Sequence, residues 1–306
     1  MDLTKKQTRL KRWEGWKSSS LAFQAQPFYF LLPAIILLGL FLFLPALLTI
    51  YYAFTDYYLL TPDQRQFVGL RNFTQIFGDP VFLRSLQNIT IFVVGIIIFQ
   101  VGMSLGLALL INKQRRGNIF LKVAFFSPVV MSLVVISVLW LYLLNPTDGL
   151  VNSMLLAVGI DAQPFLTSPN QAIYAIILVS VWQGAGYQML IFLAGLQNIP
   201  GDVYEAARID GAGKWKSFLH VTIPLLRPTT TLIVFTTLIA AFKLIIQPMI
   251  MTQGGPLNST MTPIYYIYQT GFTDRLVGYS SAMTVVFGLL IVIVTFVQRR
   301  FAKEDL

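Results

Sequence analysis

The sequence contains no cysteine, a single histidine and few charged residues. Because cysteine is absent from all 306 positions, neither disulfide bonds nor cysteine-based metal sites are available. His220 alone cannot supply the ligands of the usual zinc sites, so we expect no bound metal. Charged residues make up only 11% of the chain, whereas hydrophobic residues make up 56%. With a mean hydropathy of +0.68, this balance excludes an ordinary soluble protein and predicts a membrane protein.

Long apolar runs occupy most of the chain. Each of six runs is long enough to cross about 30 Å of hydrocarbon as an α-helix. The first run is too long for a signal-peptide core and no small-x-small cleavage site follows it, so we expect it to be retained. The sequence therefore predicts an all-α membrane protein with one six-helix domain at 28–298, between tails at 1–27 and 299–306. The predicted spans are Phe28–Ile50, Ile89–Ile111, Val123–Leu144, Ala172–Leu196, Thr229–Met251 and Ser280–Val297.

Positive charge is divided unequally between the two sides of the predicted domain. The net charge of +9 and the isoelectric point of 9.7 would suggest nucleic acid if the protein were soluble. The odd-numbered loops contain only Arg65, Arg71, Arg84 and Arg275, and Lys243 lies inside a span. All the other Lys and Arg residues, from a total of 22, lie in the even-numbered loops and the two tails. The positive-inside rule therefore predicts that both termini are cytoplasmic, and we expect no nucleic-acid partner.

A polar segment at 200–228 separates the fourth and fifth predicted spans. Asp202 is followed three residues later by Glu205, which is typical of a helix that begins with a reciprocal capping box. The two alanines after Glu205 favour a helix, and Gly211 is suited to a left-handed stop. A second short helix is predicted at 214–220. These residues leave two interpretations open, namely a pair of capped surface helices or an element that a cytoplasmic partner binds.

The spacing within this segment resembles that of a known family. Glu205-Ala206-Ala207, Asp210-Gly211-Ala212 and Ile223-Pro224 resemble the EAA loop of ABC-importer permeases. The rest of the chain, from about residue 30 to the C-terminus, is similar to the carbohydrate branch typified by maltose and glycerol-3-phosphate permeases. It lacks the extra N-terminal spans and large external domain of the maltose-type first subunit. The other matching residues are Val68-Gly69-Leu70, Asn72-Phe73, Asn88, Thr90, Pro128, Trp140, Trp182, Tyr187, Met189-Leu190, Ala194-Gly195-Leu196, Ile199-Pro200, Thr252, Gly254-Gly255-Pro256 and Ala282.

This resemblance implies a type I ABC-importer permease fold and a set of partners. They are a second homologous permease subunit, a dimer of cytoplasmic ABC ATPase, an extracytoplasmic solute-binding protein and the lipid of a bacterial or archaeal inner membrane. The segment at 202–213 would be the coupling helix held in a cleft of the ATPase, with Glu205 meeting a basic group. The implied docking residues are Asp202, Glu205, Ala206, Ala207, Asp210 and Gly211.

The chain itself is expected to be non-catalytic and to bind no cofactor, with ATP and magnesium on the partner ATPase. Its segment at 211–215 has some likeness to a phosphate-binding loop. However, that loop needs Gly five residues before its Gly-Lys pair and Ser or Thr after it, and Arg208 and Trp215 occupy these positions.

Polar side chains in the fourth and fifth spans are candidates for a solute pathway, because they are costly in hydrocarbon. Lys243 would cost about 2.5–3.5 kcal/mol at mid-helix. It must therefore face a cavity, a carboxylate or a partner subunit, unless it binds helix-end carbonyls or extends to the interface. Aromatic and amide side chains suit a sugar, and in the resembling permeases these two spans line the sugar site, which favours Tyr187 and Gln183 over Lys243. The candidate pathway residues are Ser180, Gln183, Tyr187, Lys243, Leu244 and Gln247.

Other features are assigned to turns, packing and surface helices. The turn at 252–256 would contact the binding protein through Thr252, Gly254, Gly255 and Pro256, as the resemblance implies. Gln100 is interpreted as an interhelical hydrogen-bonding residue, with a pathway position as the alternative. We also expect close helix packing at Gly102-x-x-x-Gly106, kinks at Pro128 and Pro248, and amphipathic surface helices at 67–77 and 150–158.

The function that follows from this resemblance is ATP-driven import of a sugar, a glycoside or a related polyol derivative. An ion-coupled secondary transporter is the competing class, and it would need Asp, Glu or His well inside the spans. The six predicted spans contain none there. Import of an anionic solute such as a glycerol phosphate by the same ABC machinery is the second alternative, because Lys243 leaves room for it.

Overall fold

The structure, a computed structural model, describes residues 31–112 and 117–303. The basic tail predicted at 1–27, the predicted start of the first span at Phe28, the loop residues 113–116 and the end of the C-terminal tail lie outside the described residues. Within the described part the chain is helical, and its β pairings are isolated bridges that join Thr55 to Phe67 and Tyr58 to Leu276. The all-α prediction is therefore confirmed.

The helices are numbered here in chain order. The first are α1 (Leu31–Tyr52), α2 (Arg71–Phe77), α3 (Pro80–Asn112), α4 (Asn118–Val130), α5 (Leu133–Leu143) and α6 (Leu150–Ala157). They are followed by α7 (Ala172–Gln197), α8 (Gly201–Ile209), α9 (Lys214–Leu225), α10 (Arg227–Phe242), α11 (Ile246–Met251), α12 (Pro263–Tyr268) and α13 (Val277–Lys303). The π-helical turns are Gly39–Phe43 in α1, Ile96–Gln100 in α3, Phe218–Thr222 in α9 and Gln269–Thr273 directly after α12. α1 belongs to a compact unit that ends at Tyr52, and the residues from Ala53 onward form a second unit.

Four of these helices, α1, α3, α7 and α13, are long and apolar enough to cross a membrane. The pairs α4–α5 and α9–α10 pass the same test only when each pair is taken together, and they are bent by 100° and 62°. The described residues thus offer between 4 and 6 spans by length and composition. The prediction of one continuous helix at Val123–Leu144 is wrong, because α4 ends at Val130 and α5 begins at Leu133.

The predicted fifth span, Thr229–Met251, is also interrupted. α10 ends at Phe242, and α11 starts at Ile246. Pro248 lacks the N–H that a continuous helix would direct at the carbonyl of Leu244. The hydroxyl of Thr262 donates to that carbonyl instead, at 2.7 Å. The helix is therefore interrupted before Pro248, at 243–245, whereas the sequence predicted a kink at the proline itself. The bend near Pro128 likewise follows the proline, at the junction of α4 and α5.

α7 is the central helix of the second unit and packs against α3, α4 and α10. Gly186 permits its contact with α4, since a Cβ atom built at this position would lie 2.0 Å from the backbone oxygen of Phe125. Gly102 and Gly106, where the sequence predicted close helix packing, make no such contact in the described structure. A Cβ atom at Gly102 or Gly106 would meet nothing within 4 Å in the described structure. The expectation of close packing there is wrong within this chain.

The segment between α1 and α3 is held by side-chain hydrogen bonds to the backbone. The amide of Asn72 donates to the backbone oxygens of Ala53 and Thr55, at 3.0 and 2.8 Å. The predicted surface helix at 67–77 is shorter than expected, since α2 begins only at Arg71. Ile76 is its buried apolar contact. The helix expected at 150–158 is found as α6.

Candidate functional site

A cavity of about 320 Å³ lies among α3, α4, α5, α7, α10 and α11, and we call it the central cavity. Its size is at the lower end of the range of small-molecule sites. All six residues that the sequence indicated for a solute pathway line it, so the fold brings the two predicted spans together there. Their role in solute binding stays a prediction. The pathway residues of this cavity are Ser180, Gln183, Tyr187, Lys243, Leu244 and Gln247.

α7 presents three of these residues on one face. Ser180, Gln183 and Tyr187 are separated by three and four positions, which places them above one another along a helix. Tyr187 is 54% exposed, whereas Ser180 is buried and donates to the backbone oxygen of Ile176 at 2.8 Å. Gln183 has no hydrogen-bond partner in the described part of the chain. Its amide is therefore available to a solute.

The interruption after α10 positions the other three residues. Lys243 follows the last residue of α10 and is the C-terminal cap, and its backbone N–H donates to Ala240 at 3.1 Å. The mid-helix position expected for Lys243 is therefore wrong, and its exposed side chain lines the cavity. Leu244 and Gln247 are buried. The amide nitrogen of Gln247 lies 3.5 Å from the hydroxyl of Ser180 and so joins α11 to α7.

Four further polar residues line the cavity without having been selected from the sequence. Gln188 accepts from Ser104 at 3.1 Å and donates to Thr237 at 2.6 Å, which connects α3, α7 and α10. Gln100 was predicted to form an interhelical hydrogen bond, but its side-chain amide has no partner among the described residues. It lines the cavity beside Gly184, where a Cβ atom would lie 2.5 Å from the amide nitrogen of Gln100. The remaining pair is Thr236 and Thr237. Thr236 lies seven positions before Lys243, a helical spacing that would have identified it, whereas Thr237, six positions before, has no such signal.

The polar segment between α7 and α10 folds into α8 and α9. The capping box predicted for it is wrong. α8 begins at Gly201 after Pro200, so Asp202 lies in the first turn and forms no capping hydrogen bond. Because Pro200 has no backbone N–H, Glu205 has no reciprocal donor at the cap. Both carboxylates are exposed, and neither forms an ion pair among the described residues.

Gly211 ends α8 as the sequence predicted. Its φ of 76° is left-handed, and its N–H donates to Arg208 at 3.0 Å. The N–H of Ala212 donates to Ala207 at 2.8 Å, which completes a Schellman motif. α9 begins at Lys214 as expected but continues past residue 220 to Leu225 through a π-helical turn.

A side-chain hydrogen bond joins the two helices of this segment. The hydroxyl groups of Tyr204 in α8 and Thr222 in α9 lie 3.0 Å apart. The outer side of α8 carries the remaining predicted docking residues, of which Ala206 and Asp210 are exposed and Ala207 is half-buried. Ile209 beside them is 87% exposed. α8 is thus a short helix fixed at its C-terminal end, with polar and apolar groups that no described residue covers.

The turn after α11 is fixed by hydrogen bonds between its residues. The hydroxyl groups of Thr252 and Thr260 lie 2.7 Å apart, and Thr260 donates to the backbone oxygen of Gly255 at 2.9 Å. Gly254 is buried with a φ of 80°, and a Cβ atom there would lie 2.6 Å from Met261. Thr252, Gly255 and Pro256 line a second cavity of about 490 Å³. The predicted contact with a binding protein stays a prediction.

The chain resembles known transport proteins over most of its length. Residues 81–304 match the family described as binding-protein-dependent transport system inner membrane component. The lactose transport system permease protein LacF of Rhizobium radiobacter is 36% identical over 282 residues, which cover 90% of this chain and 93% of LacF. The sn-glycerol-3-phosphate transport system permease protein UgpA of Brucella abortus is 34% identical over 281 residues, or 91% and 94% of the two chains.

Two further comparisons extend this similarity. The sulfoquinovosyl glycerol transport system permease protein SmoG of Agrobacterium fabrum is 32% identical over 295 residues, which cover 96% of this chain and 95% of SmoG. A crystal structure of a bacterial alginate ABC transporter, in complex with its alginate-bound periplasmic protein, contains a chain that superimposes with a TM-score of 0.80 at 23% identity. That match covers 94% of this chain and 98% of the other and shows the shared fold. This chain therefore belongs to the family of binding-protein-dependent transport system inner membrane components, the permease subunits of ABC importers.

Proposed function

We propose that this permease imports a sugar, a glycoside or a related polyol derivative and that α8 is its contact with the ATPase. The names of its relatives, which transport lactose, sulfoquinovosyl glycerol and sn-glycerol 3-phosphate, support the substrate class. The chain would form half of the pathway and a second homologous permease subunit the other half. Two copies of a cytoplasmic ATPase would bind ATP and magnesium, so this chain would be non-catalytic and hold no cofactor.

One observation carries the proposal, namely the physical connection from α8 to the central cavity. α8 is fixed to α9 by the Schellman motif at Gly211 and by the contact between Tyr204 and Thr222. α9 is followed, after a bend of 62°, by α10, whose C-terminal half lines the cavity. A displacement of α8 would therefore be transmitted to the cavity wall through connected helices. The exposed Glu205 on α8 would meet a basic group of the ATPase.

The transport cycle follows from this connection. When ATP closes the ATPase dimer, the two copies of the coupling segment would move together and open the cavity outward. The release of ADP would return it to the inward-facing state. Tyr187 offers an aromatic face to the apolar side of a sugar ring, and the amide of Gln183 offers hydrogen bonds to its hydroxyl groups.

The orientation of the chain is part of the proposal. The distribution of Lys and Arg supports an orientation with both termini and α8 in the cytoplasm and the turn at 252–256 outside, with six spans in a bacterial or archaeal inner membrane. The solute-binding protein would then contact Thr252, Gly254, Gly255 and Pro256. The bent pair α4–α5 would count as one span. In the second bent pair, α9 would belong to the cytoplasmic segment, and α10 would continue through α11 as a span.

Co-purification tests the docking role of α8. The importer is expressed with its cognate ATPase, and the amount of ATPase retained on the tagged permease is measured by densitometry. Glu205→Arg and deletion of 202–213 are expected to release the ATPase. Asp161→Arg is the matched control, because it reverses an exposed carboxylate in a different loop.

Uptake into proteoliposomes tests the energy source with the same variants. We expect uptake of radiolabelled solute to require both internal ATP and external binding protein. Uptake that continues without nucleotide would contradict the proposal and favour an ion-coupled carrier. Retention of the full amount of ATPase by the Glu205→Arg variant would contradict the role of α8.

A further inference from the structure

The ammonium group of Lys243 is a positive charge in the wall of the central cavity, and the described residues offer it no partner. The side chain is exposed and lines the cavity, and it forms no hydrogen bond or ion pair with any residue that the structure describes. The carbonyls at the nearby end of α10 do not hold it either, because among the described residues they accept from backbone N–H groups and none accepts from the ammonium group. Those of Ala240 and Ala241 accept from the N–H groups of Lys243 and Leu244, at 3.1 and 3.2 Å.

Among the described residues, no carboxylate lines the cavity opposite Lys243. The described lining residues include neither Asp nor Glu, and the polar groups are amides and hydroxyls. Among the amides, Gln188 is already bonded to Ser104 and Thr237, whereas the side-chain amides of Gln100 and Gln183 have no described partner. The wall therefore combines one positive charge with groups that donate and accept hydrogen bonds.

A charge beside a low-dielectric wall is stabilised when an opposite charge approaches it. The hydroxyl oxygens of a neutral sugar would accept hydrogen bonds from the ammonium group but would leave its charge unbalanced. A solute with a carboxylate, phosphate or sulfonate group would replace that water with an ion pair, while its hydroxyl groups bond to Gln183 and its apolar face contacts Tyr187. The cavity wall thus favours a polyhydroxyl solute with a negatively charged group over a neutral one.

We propose that Lys243 makes this permease selective for polyhydroxyl solutes that carry a negatively charged group. This inference rests on the proposed function, because it assigns the central cavity to the transported solute. It adds a charge requirement that the general class of sugars and polyols does not contain. It also gives Lys243 a specificity-determining role, whereas the sequence favoured Tyr187 and Gln183.

The experiment uses the complete importer in proteoliposomes, with both permeases, the ATPase and the binding protein. Matched pairs that differ in charge, glucose with glucuronate and glycerol with glycerol 3-phosphate, are first tested for binding to the binding protein by thermal shift. We expect it to bind an anionic member and not its neutral counterpart. Binding of only the neutral members, or of none of the four probes, would overturn the inference.

Uptake of the bound probe is then measured for permease variants. Lys243→Met is expected to raise the KM for uptake roughly 10- to 100-fold, the loss that corresponds to one charge-assisted hydrogen bond. Lys243→Arg should retain uptake within about threefold, because it keeps the charge. Lys122→Met removes a cation that does not line the cavity, and it should leave the KM unchanged.

Two further outcomes would overturn the inference. An unchanged KM in Lys243→Met would show that the charge does not contact the solute. Failure of both Lys243→Met and Lys243→Gln to assemble, while Lys243→Arg assembles, would show that Lys243 pairs with the second permease subunit. ATP-independent uptake would instead contradict the proposed function. ATP-dependent uptake that is unaffected by the Lys243 variants would contradict only the present inference.

Discussion

The carboxylate of Asp79 accepts a hydrogen bond of 2.8 Å from the hydroxyl of Tyr266, 187 positions further along the chain. The hydroxyl of Tyr279 donates to the same oxygen at 2.8 Å. The other oxygen of Asp79 caps α3 by accepting from the backbone N–H groups of Val81 and Phe82, at 2.9 and 3.1 Å. A single carboxylate therefore connects the start of α3 to α12 and α13.

The first prediction concerns this connection. Tyr266→Phe removes one charge-assisted hydrogen bond and should lower the free energy of unfolding by about 1.5–3 kcal/mol. Thermal unfolding of the purified importer in detergent measures the effect as a lower Tm. Tyr268→Phe is the control, because the hydroxyl of Tyr268 has no hydrogen-bond partner among the described residues. Equal Tm values for the two variants would contradict the prediction.

The second prediction concerns alkaline pH. Burial raises the pKa of Tyr266 above its ordinary value of 10.0, and the hydrogen bond to Asp79 and its negative charge raise it further. The folded protein therefore holds this proton more tightly than the unfolded chain does. The resulting stability is complete below pH 10 and is lost as the pH rises from there towards the raised pKa. We expect the Tm difference between wild type and Tyr266→Phe to shrink above pH 10, and a constant difference would contradict this.

The third prediction concerns the end of α8. Gly211 has a φ of 76°, where a side chain costs about 1–2 kcal/mol. Gly211→Ala should therefore distort the Schellman motif and weaken binding of the ATPase by roughly 5- to 30-fold. Gly213→Ala is the matched control, because its φ of −67° suits any residue and a Cβ atom there meets nothing within 4 Å. Titration of the ATPase against each variant gives the two affinities, and similar values would contradict the prediction.

The fourth prediction concerns the contact between α7 and α4. Gly186→Ala would place a methyl group 2.0 Å from a backbone oxygen that cannot rotate away, so α4 must shift. Such overpacking costs about 1–3 kcal/mol or more, and we expect a lower Tm and a lower yield of assembled importer. Gly106→Ala introduces the same methyl group into open space and should be tolerated within this chain. A larger loss of stability in Gly106→Ala would instead indicate close packing against another subunit.

The fifth prediction concerns the wall of the central cavity. Tyr187 and Tyr174 both lie on α7 and are exposed to similar degrees, 54% and 59%, but only Tyr187 lines the cavity. Tyr187→Ala should raise the KM for uptake by roughly tenfold, because stacking and a hydroxyl contact are lost. Tyr174→Ala should change it little. Uptake kinetics in proteoliposomes give the KM of both variants. Equal changes in KM would show that Tyr187 does not contact the solute.

The pathway residues show which part of the site was predictable. Ser180, Gln183 and Tyr187 were identified because polar residues are costly in an apolar run and because the corresponding span lines the sugar site in the resembling permeases. Gln100 and Gln188 lie in equally apolar runs, yet their position at the cavity depends on how α3 and α7 are rotated against each other. That rotation is set by side-chain packing between helices that are distant in sequence. The periodicity of a single helix carries no information about this packing.

The helix boundaries show a similar division. Gly211 was predicted as a left-handed stop because its conformational preference is local. The capping role of Asp202 was predicted wrongly, since Pro200 is the N-cap and the helix starts two residues earlier than predicted. The breaks at 131–132 and 243–245 were predicted only as kinks, at Pro128 and Pro248. Both occur in apolar runs that read as continuous, and the second depends on Thr262, a distant residue that satisfies the carbonyl of Leu244.

The sequence by itself determined that this chain is helical, apolar and built with a polar segment between two of its long runs. Composition and local preference are enough for that, because lipid requires each span to satisfy its own backbone. Only the tertiary structure decided that α10 stops at Phe242 and that the side chain of Lys243 lines a cavity with the polar face of α7. The reason is that this position depends on where separate helices meet, and packing between them fixes it.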